Sequence, residues 1–270
     1  MKTKRLIQWM ACAGTALLLS SGVAACSSVD SLVYPGTGSD SVEATDAMAK
    51  KYRKYAKEVS VDGVTLRGWM IERPGKPLLI FYGGNAMNLA TVLPTAERDK
   101  QHATLLMNYR GYGGSEGKPS EKALVQDAVY LLDKVCRETK RKPGDVVLVG
   151  QSLGSGVAVQ VAAQRPVGKL VLLVPFDSIE AVARGMAPGF LVDWALNDTY
   201  RSDKFAPKVK CPVTIIAATH DSVVPIAHAR KLAASFGRSV KWVEFPCGHN
   251  GLWKQKGFLP VYGKACALPQ

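Results

Sequence analysis

Val146-Val147-Leu148-Val149-Gly150-Gln151-Ser152-Leu153-Gly154-Ser155-Gly156 is a short β-branched apolar run that ends in a glycine-flanked serine, and a helix-forming segment over about residues 157–164 follows at once. The order is strand, sharp turn, helix. A serine at the apex of such a turn is held in a strained backbone conformation, and the flanking glycines let neighbouring backbone come close. Its hydroxyl then stands above the sheet edge, beside the free N–H groups of a helix N-terminus, where developing negative charge is favoured. Glycine and serine populate any loop. The pentapeptide gains meaning only from the strand before it and the helix after it.

Outward from this stretch, the runs 78–82, 103–107, 146–149, 170–174, 213–217 and 240–245 are apolar almost throughout, and helical patterns separate them. Continuous apolarity means that both faces of each strand are covered, as in a parallel sheet sandwiched between helices. The connecting helices include 122–138, with Leu124, Ala128, Leu131, Leu132 and Val135 on one face, and 227–236. A helix is expected over 44–57. After it, Val59 and Val61 alternate with polar residues up to Asp62-Gly63, which reads as a hairpin turn into 65–71. The expected fold class is α/β, a doubly wound sheet with an antiparallel start. From about 177 to 210 the alternation stops, and two short helices split by Pro188-Gly189 are expected to form a small cap over the sheet.

The N-terminus carries Lys2, Lys4 and Arg5, then an apolar run, then Val23-Ala24-Ala25-Cys26. Residues 1–25 read as a secretory signal rather than part of the fold. Small residues before Cys26 resemble the lipobox of bacterial lipoproteins, in which the cysteine is acylated. Cys12 competes but sits too early for an apolar core ahead of it. Ser27 after the cysteine implies, by analogy with lipoprotein sorting, the outer membrane facing the periplasm. Residues 26–43 are rich in Ser, Asp, Gly and Thr and are expected to be a flexible tether, leaving 44–270 as the folded domain.

The chain has 35 basic and 22 acidic residues, and removing the signal takes away three basic ones and no acidic one. Such a surplus attracts anionic surfaces. Its densest run is Lys50, Lys51, Arg53, Lys54 and Lys57, which reads first as a solvated helix face. No nucleic-acid-binding motif accompanies it. Cys136, Cys211, Cys247 and Cys266 match no zinc spacing, and in an exported protein one or two disulfides are expected among them, with the pairing open.

A serine hydroxyl needs an adjacent base, itself oriented by an acid, to act as a nucleophile. Of His102, His220, His228 and His249, only His249 lies in a loop after an expected strand, Pro246-Cys247-Gly248-His249-Asn250-Gly251. Reactive groups of parallel sheets gather at that end. His102 precedes its strand and His228 falls in a helix, so both read as structural. Asp221, just past the strand 213–217, is the expected acid, and Asp177 after the previous strand is its competitor. Two N–H donors are needed for the oxyanion of a tetrahedral intermediate. These are expected from Leu153 and from Asn85 in the loop Tyr82-Gly83-Gly84-Asn85-Ala86. This machinery needs no metal or organic cofactor.

The order Ser152, Asp221, His249, each after a strand, resembles the α/β-hydrolase fold. Tyr109-Arg110-Gly111-Tyr112-Gly113-Gly114-Ser115-Glu116-Gly117-Lys118-Pro119-Ser120-Glu121, Gly150-Gln151-Ser152-Leu153-Gly154, Asp221-Ser222-Val223-Val224-Pro225 and Gly248-His249-Asn250 are similar to the branch of alpha/beta-hydrolase-domain serine hydrolases that includes protein depalmitoylases. The likeness runs over about residues 59–250. Two departures stand out. The second glycine usual after Gly154 is Ser155 here, and the usual His-Gly-Asn of the oxyanion loop is Gly83-Gly84-Asn85.

The resemblance implies a serine hydrolase that cleaves carboxylic esters or thioesters, palmitate among the acyl groups, and reaches the membrane through lipidated Cys26. The other readings are a binding module of the cell envelope that kept the scaffold without turnover, and a peptidase or acyltransferase of the same fold. Fold and triad alone do not choose among acyl chemistries.

Overall fold

The computed structural model describes residues 33–35 and 42–269. Its centre is one eight-stranded sheet in the order β1-β2-β4-β3-β5-β6-β7-β8. The strands are β1 (Ala56–Val61), β2 (Val64–Ile71), β3 (Leu78–Tyr82), β4 (Ala103–Met107), β5 (Val146–Gln151), β6 (Lys169–Leu173), β7 (Val213–Ala218) and β8 (Lys241–Phe245). The Asp62-Gly63 hairpin sets β1 antiparallel to β2, and β2 is antiparallel to β4. All other neighbours are parallel. The doubly wound sheet with an antiparallel start is therefore the observed architecture.

Alternate side chains of the central strands feed two apolar layers. Leu78, Ile80 and Tyr82 of β3 face the layer that holds α3 (Glu121–Thr139), α4 (Leu153–Gln164) and α8 (Ile226–Ser235). Leu79 and Phe81 face the other, with α1 (Val42–Lys51), α2 (Leu93–Arg98) and α9 (Phe258–Cys266). The stripe expected on α3, Leu124, Ala128, Leu131, Leu132 and Val135, is buried, and Ser120 caps its start by accepting from the Ala123 N–H. Helix α4 is buried from Leu153 to Ala162, so it lies inside the domain rather than on it. No helix among the described residues is long and apolar enough to cross a membrane.

Between β6 and β7 lie α5 (Ile179–Arg184), α6 (Gly189–Ala195) and α7 (Ser202–Phe205), which make the cap expected over 177–210. Its two legs are fastened to each other, because the Ile179 N–H donates to the Thr199 carbonyl (2.8 Å) and the Asp203 N–H to the Asp177 carbonyl (3.0 Å).

Three expectations need correction. The helix expected over 44–57 ends at Lys51, a 3-10 turn covers Arg53–Tyr55, and β1 has already begun at Ala56. The stretch 26–43 is not tether throughout. Tyr34 is buried, donating its hydroxyl to Asp198 Oδ2 at 2.6 Å and lying 3.0 Å from the Tyr200 hydroxyl. A large aromatic with a partner for its OH gains more from docking than the backbone loses. Finally, Cys136, Cys211, Cys247 and Cys266 are all buried free thiols in place of the expected disulfides. The signal at 1–25 and Cys26 lie outside the described residues.

Candidate active site

Ser152 sits between the end of β5 and the start of α4, with φ 51° and ψ −119°. A non-glycine residue in that region costs about 1–3 kcal/mol, so the surroundings must hold it. The Ser152 N–H donates to the Leu173 carbonyl of β6 (3.0 Å). Its own carbonyl accepts from the Ser155 N–H (2.8 Å) and the Ser155 hydroxyl (2.6 Å). The flanking glycines are fixed by space. A Cβ on Gly150 would stand 2.4 Å from the Gly154 carbonyl oxygen, and one on Gly154 would stand 2.1 Å from the Tyr82 carbonyl oxygen. Strand, turn and helix therefore pack at a separation that admits no side chain at either position.

The base and acid arrive from the two strands at the far edge. Residues at the ends of β7 and β8 stay paired beyond the strands, with the Thr219 N–H donating to the Phe245 carbonyl (2.9 Å) and the His220 N–H to the Cys247 carbonyl (3.0 Å). That pairing sets the Asp221 turn beside the His249 loop. Asp221 Oδ1 accepts from the Val223 and Val224 N–H groups (2.9 and 2.7 Å), which points Oδ2 at the imidazole. His249 Nδ1 donates to that oxygen at 2.6 Å, and the Ser152 hydroxyl lies 2.8 Å from His249 Nε2. Asp221 and His249 side chains are 2% and 9% exposed, so water competes little for either bond. The three groups expected to meet do meet.

The competing candidates are engaged elsewhere. His228 Nδ1 lies 2.7 Å from Asp177 Oδ1, which ties α8 to the base of the cap. His102 Nδ1 lies 2.8 Å from Asp99 Oδ2, and its Nε2 is 3.1 Å from the Cys266 carbonyl at the end of α9. His220 is exposed.

Leu153 directly follows Ser152 at the first position of α4. On the opposite side, a Cβ on Gly84 would lie 3.6 Å from Ser152 Cβ, which places the Gly83–Asn85 loop against the serine. This loop is clamped from the 109–115 motif. Tyr109 donates its hydroxyl to the Gly83 carbonyl (3.0 Å), and Tyr112 donates to the Asn85 carbonyl (2.8 Å). The peptide that carries the Asn85 N–H therefore has a tethered carbonyl on each side. Between the two tyrosines, Arg110 makes a forked pair with Asp127, both bonds 2.7 Å, which secures the motif to α3.

Sequence reasoning missed several supporting residues. Ser155, seen only as a departure from a glycine, is the residue whose hydroxyl holds the Ser152 carbonyl. Trp253, in a 3-10 turn just after the His249 loop, donates Nε1–H to Gln151 Oε1 at 2.8 Å and so couples that loop to the serine turn. The indole lies 5.0 Å from Phe258 and 5.3 Å from Tyr262 of α9, centroid to centroid. A lone tryptophan after a histidine gives no sequence signal for this.

A serine turn on the central strand, with a buried imidazole and carboxylate at the same sheet edge, defines the hydrolase class of α/β proteins. The chain belongs to the alpha/beta hydrolase family, whose model matches residues 80–208. An uncharacterized protein of Mycobacterium tuberculosis is 33% identical over 195 residues, 70% of this chain and 69% of the relative. The alpha/beta hydrolase domain-containing protein WAV2 of Arabidopsis thaliana is 29% identical over 230 residues, 76% of this chain and 74% of its own. Among solved structures, an alpha-beta hydrolase from Vibrio vulnificus superposes with a TM-score of 0.72 at 20% identity, over 93% of this chain and 98% of the other. The Pyrococcus furiosus esterase Pf2001 gives 0.62 at 17% identity, over 80% and 93%. At these identities the structural likeness speaks for the fold alone.

Proposed function

We propose that this protein is a serine hydrolase that cleaves carboxylic esters or thioesters through an acyl-serine, and that acylation of Cys26 holds it at the outer membrane, facing the periplasm. The observation that carries the reading is the unbroken chain from Asp221 Oδ2 to His249 Nδ1 (2.6 Å) and from His249 Nε2 to Ser152 Oγ (2.8 Å). In this reading Ser152 Oγ attacks the substrate carbonyl carbon while its proton passes to His249 Nε2. Asp221 holds the imidazole in the tautomer that can accept that proton and stabilises the imidazolium formed. The Leu153 and Asn85 N–H groups receive the oxyanion. Collapse of the intermediate breaks the bond to the leaving oxygen or sulfur, which takes the proton from Nε2. Water then attacks the acyl-serine, gives its proton to Nε2, and the acid departs as Ser152 regains its hydrogen.

The resemblance to the depalmitoylase-containing branch favours acyl groups carried on a larger molecule, and the small cap is consistent with an accessible site. The test is labelling by a fluorophosphonate probe. The full chain is expected to label, and Ser152→Ala to lose the label. Absence of labelling in the native chain, or equal labelling of the variant, refutes the reading.

A further inference from the structure

The cap carries an apolar face with nothing packed on it among the described residues. On α6, Phe190, Leu191 and Trp194 are 71%, 44% and 60% exposed, while Val192 between them is buried. Positions 190, 191 and 194 share one side of a helix, so the three side chains form a single patch. Soluble monomers rarely leave large aromatic and aliphatic groups grouped in water, and such patches mark interaction sites.

We propose that this face of α6 seats in the lipid bilayer that holds the Cys26 anchor, so that the cap, and not only the lipid, fixes the domain on the membrane. The proposal rests on the anchoring reading above. Its independent support is where the folded chain begins. Tyr34 is buried and hydrogen-bonded to Asp198 and Tyr200, and Asp198 lies three residues beyond the last residue of α6. From Cys26 to Tyr34 the chain spans no more than about 30 Å even fully extended, and from Ala195 to Asp198 no more than about 11 Å. The leash therefore leaves the domain beside α6, and the bilayer holding its far end is within reach of that helix.

The charge arrangement agrees. The cap carboxylates Glu180, Asp193 and Asp203 are each paired with Arg184 or Arg201, so they meet the headgroups as neutral pairs. The chain as a whole carries a formal net charge of +13, which favours anionic lipid. Tryptophan and phenylalanine on one side of a short helix suit the interfacial layer, where the rings enter the acyl boundary and the polar side remains wet. Seating of α6 brings the substrate entrance to acyl groups at the membrane surface, because the cap sits between β6 and β7, beside the strand that ends in Ser152.

The test uses the full lipidated chain in vesicles of phosphatidylethanolamine and phosphatidylglycerol. With brominated acyl chains, the part of the emission lost in Trp194→Phe is expected to be quenched by about half or more. Phe190→Ser/Trp194→Ser is expected to lower turnover of a long-chain ester embedded in the vesicle about tenfold or more, since two aromatic groups leave the lipid. Its turnover of a soluble acetyl ester should stay within about twofold of the parent. A chain that fails to float with vesicles defeats the anchoring reading. One that floats with Trp194 unquenched, or a variant that keeps full turnover of the embedded ester, defeats the seating of α6 alone. Equal loss on both esters, or conversion of a dimer to a monomer with quenching unchanged, likewise overturns it, assigning the patch to the pocket or to a second copy of the chain.

Discussion

Replacing Tyr112 by phenylalanine removes one oxygen atom and leaves a buried ring in place. The lost bond is the 2.8 Å contact to the Asn85 carbonyl, and the 3.0 Å contact of Tyr109 to the Gly83 carbonyl is its counterpart across the same peptide. Each such bond contributes about 0.5–1.5 kcal/mol, or roughly two- to twelvefold in rate if its effect falls on the transition state. The ceiling is loss of the oxyanion donor itself, about 100- to 1000-fold. Tyr112→Phe is therefore expected to lower kcat about fivefold, and the Tyr109→Phe/Tyr112→Phe pair about 30-fold, with KM within about twofold because ground-state binding does not use the clamp. The assay is steady-state hydrolysis of a short soluble p-nitrophenyl ester, with a thermal melt of each variant to show that the fold persists. A double variant that melts like the parent and keeps its kcat, or one in which only KM rises, would refute the idea that these hydroxyls position the Asn85 N–H.

Two further outcomes follow from burial and charge. Burial alone pushes the Asp99 carboxyl up, but the His102 hydrogen bond, the Gln101 N–H and the charges of His102 and Arg73 outweigh it and hold it below the usual carboxylate range. A depressed folded pKa gives stability that is present above the unfolded value and lost as pH falls through the folded one. Asp99→Asn should therefore melt at a temperature that changes less between pH 6 and pH 2 than the parent's, and an unchanged pH profile would contradict this. Burial also pushes the Cys211 thiol up to about 11 and the Cys266 thiol up to about 12, which starves both of thiolate. Iodoacetamide at pH 8 should leave Cys136, Cys211, Cys247 and Cys266 unmodified in the native chain and alkylate all four in guanidinium without reductant, as read by peptide mass; any pair that needs reductant first is a disulfide.

Most of the scaffold was legible because it is written in local pattern. The runs 78–82 and 103–107 coincide with β3 and β4, and Asp62-Gly63 turns the hairpin as its sequence demands. The serine, acid and base were legible because each follows a strand whose end can be read. What escaped depends on pairs distant in sequence. Trp253 meets Gln151 across 102 residues, and Tyr34 meets Tyr200 across 166. The tyrosines of the 109–115 motif were visible as a motif, but their targets are main-chain carbonyls, which carry no identity to read. The disulfide expectation failed for a related reason: each cysteine is buried in its own apolar setting.

The bonds that join the two legs of the cap at Ile179–Thr199 and Asp177–Asp203 also separate it from the wiring beneath. The intervening residues 180–198 form a cassette with a closed base, and none of them touches Ser152, Asp221 or His249 through a hydrogen bond described above. Exchange of that cassette for another would change what lies over the sheet edge while the proton relay stayed intact, so substrate range and surface preference can drift in this lineage without any revision of its chemistry.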